Sequence, residues 1–159
     1  MKAIFILAVL AVVSTGLAAE MLEIQLNGKT IRAYHLSDLA QAQKQAQDAK
    51  MPIAWIASSP KVLQNNGNIA LSNGRGATLH AFSVFADKAV LVFQDAYAEN
   101  HQGPQIVDHA LHTPDPHFTP PTVVLLDSEL KKVLATIRYE PDFNKRKQAF
   151  QEAAAHLAR

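Results

Sequence analysis

Cysteine is absent from this sequence of 159 residues. Without a thiol the chain can form no disulfide, offer no thiolate ligand and attack no disulfide bond. It also cannot carry a lipid anchor attached through cysteine. An exported domain of this composition must therefore gain its stability from packing rather than from cross-links.

The sequence also lacks a marked excess of charge. Lysine and arginine together number 15 against 14 aspartates and glutamates. If the N-terminal segment containing Lys2 is removed, the balance is 14 against 14. A neutral domain has no strongly basic surface with which to neutralise phosphates or anionic lipid headgroups. We therefore expect neither nucleic acid nor a membrane surface as the partner.

Long apolar runs are absent after the N-terminus. Lys2 precedes an unbroken apolar stretch over residues 4–13, and small residues follow at 14–19. The stretch is shorter than the roughly 20 residues that cross a bilayer, and the pattern is typical of a secretory signal peptide. We predict cleavage after Ala18 or Ala19, with an uncleaved anchor as the alternative. Residues 20–159 then form one exported domain, periplasmic or secreted, with no membrane span after cleavage.

The rest of the sequence begins with a predicted hairpin and a helix. Two runs of alternating apolar and polar residues flank Asn27-Gly28, the dipeptide that favours a tight hairpin turn. Apolar residues spaced by three and four then predict a helix over residues 38–50, with Ser37 as its N-cap.

Strands and helices alternate from there to the end of the chain. Continuous apolar runs at 53–57, 89–93 and 122–126 predict strands covered on both faces, and 133–137 predicts a fourth. Helices are expected after an N-cap at Ser72 or Asn73, from Pro104, and from Pro141. This order predicts an α/β fold, a three-layer α/β/α sandwich with a mixed central sheet and an N-terminal β-hairpin.

Two local sequences resemble the thioredoxin-like fold family. Residues 42–57 are an alanine- and glutamine-rich helix, then Lys50-Met51-Pro52, then a buried strand, as in exported thioredoxin-like domains. Residues 120–127, Pro-Pro-Thr-Val-Val-Leu-Leu-Asp, resemble the cis-proline strand of that family. The resemblance implies a cis bond between Pro120 and Pro121, with Thr122 starting a central strand.

The family's Cys-x-x-Cys motif is missing from this chain. Counted from Pro52, its positions fall near Val62 and Asn65, and neither is a thiol. The resemblance therefore implies a redox-inactive domain, not a thiol-disulfide oxidoreductase, that binds a protein or peptide partner in the envelope without a cofactor. The expected binding residues are those of the loop after the first buried strand and of the segment leading into the prolines: Ser58, Ser59, His117, Phe118, Thr119, Pro120 and Pro121.

Histidines gathered between residues 101 and 117 give a second hypothesis, a metal-binding accessory protein. Neutral imidazole is the commonest metal ligand among side chains. The helical repeat from Pro104 places His109 and His112 together on the polar face, and His117 could reach them from the following loop. The candidate ligands are His101, His109, His112 and His117. Their spacing matches no named zinc motif, so an ordinary solvated helix face is the better explanation for them.

An enzyme of unrecognised type, housed in the loop over residues 58–75, is the third hypothesis. A serine at the end of a strand resembles the position of a hydrolase nucleophile, and Ser58 and Ser59 follow a predicted strand. A working serine nucleophile needs a base and an oxyanion hole. The surrounding sequence is not Gly-x-Ser-x-Gly, so these hydroxyls are better explained as partners of backbone groups at the strand end.

Overall fold

The predicted hairpin is the first element that the structure describes. The computed structural model describes residues 21–62, 74–98 and 103–157, so the expected signal peptide over residues 1–19 lies outside it. Strand β1 (Met21–Leu26) pairs antiparallel with β2 (Lys29–His35). Asn27 and Gly28 connect them with φ angles of 51° and 76°, the left-handed conformations that this turn requires.

The remaining elements follow the order that the apolar patterns predict. Across the described residues no helix is both long and apolar enough to cross a membrane. The elements are α1 (Leu39–Ala49), β3 (Ile53–Ser58), α2 (Gly74–Phe85), β4 (Val90–Asp95), α3 (Gln105–His112), β5 (Thr122–Leu126), β6 (Val133–Ile137) and α4 (Phe143–Leu157).

The six strands form one mixed sheet in the order β1-β2-β4-β3-β5-β6. Strands β2, β4 and β3 are parallel, whereas β5 is antiparallel to β3 and β6 antiparallel to β5. The register pairs Ser58 with Asp95 and Ala57 with Thr122. The ends of β3 and β4 therefore meet the start of β5 at one edge of the sheet, which we call the proline edge and define by Ser58, Asp95 and Thr122.

Helices cover both faces of the sheet. On one face, α2 and α4 contribute Phe82 and Phe150 to a buried cluster with Ile56 of β3. On the other face, Leu111 of α3 packs in a second cluster with Trp55. Successive β3 residues thus enter opposite cores, which explains why that strand is apolar without interruption. The α/β class, the mixed sheet and the hairpin are confirmed.

Three local predictions at helix starts are corrected. Ser37 does not cap α1, because a 3-10 turn (Leu36–Asp38) precedes that helix and the Ser37 hydroxyl donates to Asp38 Oδ2 at 3.0 Å. Helix α4 begins at Phe143 rather than Pro141. Asp142 accepts the N–H groups of the next turn there, and these hydrogen bonds lower its pKa. Helix α3 begins at Gln105, with Pro104 as its N-cap, rather than at Pro104 itself. Val62 ends a 3-10 turn (Pro60–Val62), while Ser72, Asn73 and Asn65 lie outside the described residues.

Candidate functional site

Two prolines lead the chain into the proline edge. The bond between Pro120 and Pro121 is cis, as predicted, and Thr122 begins the fully buried strand β5. The Thr122 hydroxyl donates to the carbonyl of Thr119 at 3.1 Å. This bond fixes the segment before the prolines to the first residue of the strand.

The first turn of α2 lies directly against these prolines. A Cβ atom placed on Gly74 would lie 3.6 Å from Pro121 Cδ and 3.8 Å from the carbonyl oxygen of Pro120. These are ordinary van der Waals distances, so a methyl group would fit and a larger side chain would press on the segment. Gly74 and Pro120 are partly exposed and lie side by side at this junction, whereas Pro121, also predicted to bind a partner, is buried.

The hydroxyl of Ser58 holds the end of β3 to the same turn of α2. Ser58 is 2% exposed. Its Oγ lies 2.7 Å from the Oγ1 of Thr78, which itself donates to the carbonyl of Gly74 at 2.7 Å. Since the Thr78 proton is committed to Gly74, Ser58 is the donor of the pair. Its partner is a hydroxyl rather than a general base, and this arrangement is structural, not nucleophilic.

Ser59, the next residue, is partly exposed at the proline edge. Its Oγ accepts the backbone N–H of Lys61 at 3.3 Å, a local turn interaction. Of the two serines predicted to bind a partner, Ser59 is placed where a partner could reach it, whereas Ser58 is enclosed.

The segment before the prolines is partly exposed and partly anchored. His117 and Thr119 are exposed, and the N–H of His117 donates to Asp115 Oδ1 at 2.9 Å. Phe118 differs, because its side chain packs against the buried cluster on the α1 and α3 face. Its ring meets His112 edge to face, with centroids 5.2 Å apart. Phe118 therefore anchors the segment to the fold while its two neighbours face solvent.

Tyr97 is a feature of this edge that the sequence analysis did not identify. It lies in the turn after β4 and is 67% exposed. Its N–H donates to Asp95 Oδ1 at 2.8 Å, and the N–H of Ala96 donates to the carbonyl of Ser58 at 2.9 Å. The turn is thus fixed beside the end of β3 and presents an aromatic side chain to solvent. The sequence feature that could have indicated this turn is Asp95, because an aspartate at the end of a strand often closes such turns.

Of the four predicted metal ligands, the three that the structure describes, His109, His112 and His117, are not grouped as a metal site. His109 and His112 lie on the outer face of α3, as the periodicity predicts, but each has a local partner. His112 Nδ1 lies 2.9 Å from the carbonyl oxygen of Asp108, and His109 Nδ1 lies 3.4 Å from Thr113 Oγ1. Within residues 21–62, 74–98 and 103–157, no three histidine or carboxylate side chains are grouped to hold a metal ion. His101 lies outside those residues.

No protein-family model matches this chain, and no curated protein matches it either. What the proline edge does must therefore follow from its own geometry and chemistry.

Proposed function

We propose that this chain is an exported, redox-inactive thioredoxin-like domain that binds an extended protein or peptide segment along the proline edge. The order and direction of the strands support this assignment, because β2, β4 and β3 run parallel and β5 and β6 complete a mixed sheet. The observation that carries the proposal is the packing of Pro120 and Pro121 against Gly74 at the start of α2. In the thioredoxin-like family, the corresponding junction is the groove for an extended chain.

The backbone of this edge can contribute little to strand-like pairing with a partner. A bound chain in such a groove pairs with main-chain groups, as in other forms of strand addition. Pro120 has no N–H to donate, so only its carbonyl oxygen is left for such pairing. Side chains must therefore supply most of the affinity.

The exposed side chains around the prolines suit that role. Tyr97 offers an aromatic ring and a hydroxyl group, and aromatic residues are prominent among those that dominate binding energy at interfaces. Ser59, His117 and Thr119 add side-chain hydrogen-bonding groups beside the prolines. The surface thus suits a peptide segment with at least one apolar side chain and with groups that can form hydrogen bonds.

The absence of cysteine makes the first test direct, because one introduced cysteine is a unique attachment site. Thr119→Cys, labelled with a photoactivatable cross-linker, should capture a protein from the native envelope. The matched control is Leu134→Cys, since Leu134 is also exposed but follows Val133, which pairs with Leu126 at the opposite edge of the sheet. Equal capture of the same protein from both positions would contradict the proposal.

A binding measurement then tests the contribution of individual side chains. A peptide covering the cross-linked segment should bind the unlabelled domain, and Tyr97→Ala should weaken that binding about tenfold, or about 1.4 kcal/mol. Leu134→Ala, a comparable loss of an exposed apolar side chain, should leave the affinity unchanged. If the Tyr97 and Leu134 variants bind equally well, the proline edge is not the binding surface.

A further inference from the structure

His80 joins α2 to α4 through aromatic contacts. Its imidazole is stacked on Phe143 with ring centroids 5.3 Å apart and an angle of 25° between the planes. It meets Phe150 edge to face at 5.1 Å, and Phe150 in turn contacts Phe85 of α2 at 5.7 Å. The ring is thus part of the apolar seam between the two helices.

One of the two ring nitrogens of His80 has no acceptor in this seam among the residues that the structure describes. His80 Nδ1 is shielded from water and has no hydrogen-bond partner within the described part of the chain. The charged groups acting on the ring are Arg146 and Lys147, both cationic and both on α4. Arg146 is 1% exposed, with its guanidinium 5.6 Å from the centre of the Phe143 ring and Nη1 donating to the carbonyl of Glu140 at 2.6 Å. The nearest fixed positive charge therefore cannot move away easily.

Burial, followed by the charges of Arg146 and Lys147, lowers the pKa of His80 from its ordinary value of 6.5. The neutral ring is consequently the form that fits between the helices. When the pH falls below 6.5, an opened or unfolded chain binds a proton at His80 before the closed form does. Stability is therefore full above that pH and decreases as the pH falls through the folded-state pKa.

We propose that His80 makes the α2–α4 contact a pH-sensitive latch, which is closed while the imidazole is neutral and opens when it is protonated. Opening releases the N-terminal half of α4, which carries Phe143, Arg146 and Phe150, from α2. It exposes the aromatic seam between the helices and leaves the α1 and α3 face unchanged. This inference does not depend on the proposed partner-binding function.

Hydrogen exchange measured at about pH 7.5 and about pH 5, after correction for intrinsic rates, tests the latch. Protection of α4 residues 143–150 should fall at the lower pH, by up to about 30-fold, the limit set by the difference between pH 5 and the ordinary pKa of 6.5. Protection of α3 should be unchanged. His80→Phe keeps an aromatic ring that cannot titrate, and should abolish the pH effect. His156→Gln, which removes an exposed histidine from the same helix, should retain it.

A titration of the unaltered protein provides a test that no folding defect can obscure. The His80 imidazole signal in NMR spectra, identified by its proximity to Phe143 and Phe150, should titrate below its ordinary value of 6.5. The proposal is overturned if His80 titrates at or above 6.5, or if α4 loses protection at low pH equally in His80→Phe.

Discussion

Two buried hydroxyl groups, those of Ser58 and Thr78, satisfy each other at the end of β3. Replacing Thr78 by valine keeps the shape of the side chain but leaves the Ser58 hydroxyl without its acceptor. A buried polar group in that condition costs about 1–3 kcal/mol. We expect Thr78→Val to lower the free energy of unfolding by that amount, measured by urea denaturation. The fluorescence of Trp55, the single tryptophan, can report unfolding.

A second substitution separates the missing bond from other effects of the valine. Ser58→Ala combined with Thr78→Val removes both hydroxyls and should be less destabilising than the sum of the two single changes. Ser59→Ala, which removes an exposed hydroxyl one residue away, should change stability by less than about 0.5 kcal/mol. If the two substitutions are additive, the proposed coupling between Ser58 and Thr78 is incorrect.

The burial of single side chains was the least predictable property of this sequence. Phe118 and Ser58 were both expected to face a partner, yet Phe118 packs against a core cluster and Ser58 is enclosed. The contacts that bury these two side chains come from α3 and α2. The residues adjacent in sequence to Phe118 and Ser58 do not indicate those contacts. Tyr97 shows the converse, since its exposure depends on how the turn after β4 is fixed to β3.

Whole strands and helices were more predictable, because each rests on the summed pattern of many residues. The apolar runs predict β3, β4 and β5 correctly, since both faces of each strand lie under helices. Helix starts depend instead on single hydrogen bonds between competing groups. Ser37 has the right chemistry for a cap, but its hydroxyl bonds to Asp38 and a 3-10 turn takes the place of the cap.

The short helix α3 is stabilised by Arg138, the residue that directly follows strand β6. Arg138 donates Nη2 to the carbonyl of Ala110 at 2.8 Å and also hydrogen-bonds the carbonyls of Leu111 and Thr113. These carbonyls include groups left unpaired at a helix C-terminus, where positive charge is also favourable. An isolated helix of eight residues is not stable in water. The guanidinium therefore stabilises both the end of α3 and its attachment to the sheet.

We predict that Arg138→Met lowers the free energy of unfolding by about 1.5–3 kcal/mol, the range for hydrogen bonds to a charged group. Arg138→Lys should recover part of that loss, because an ammonium keeps the charge without the planar fork. Amide exchange within α3 should rise in both variants. The control is Arg32→Met, which breaks an exposed pair with Glu23 and should cost less than about 1 kcal/mol. Equal effects of the Arg138 and Arg32 substitutions would contradict the role assigned to Arg138.

At the scale of the whole molecule, the hairpin is joined to the rest of the sheet less firmly than the other strands. All six residues of β1 pair with β2, but in the described residues β2 pairs with β4 through Tyr34 and His35 alone. A cleft of about 720 Å³ opens beside the part of β2 that does not pair with β4. Arg32 and Leu91 are among the residues that line it. Much of the attachment must therefore come from side chains, namely Ile24, Ile31 and Ala33 in one core and Tyr34 in the other.

We therefore predict that the hairpin opens as a unit, at a lower free energy than global unfolding. In native-state hydrogen exchange with increasing urea below the unfolding midpoint, amides of β1 and β2 should show a small urea dependence. Amides of β3 and β5 should show the full dependence of global unfolding. A hairpin that exchanges with the same urea dependence as β3 would be part of a single cooperative unit.

A substitution in the core distinguishes a hairpin that opens alone from one that opens together with the central strands. Val124 is fully buried in the cluster shared with α3, and Val124→Ala should cost about 2 kcal/mol. If the hairpin opens alone, the packing around residue 124 is intact in the opened form, so hairpin exchange should not change while global stability falls. Ile31→Ala, by contrast, removes a contact that is lost both when the hairpin opens and when the whole domain unfolds. It should therefore lower the free energy of hairpin opening and the free energy of global unfolding equally. If Val124→Ala also accelerates hairpin exchange, the hairpin and the central strands open together.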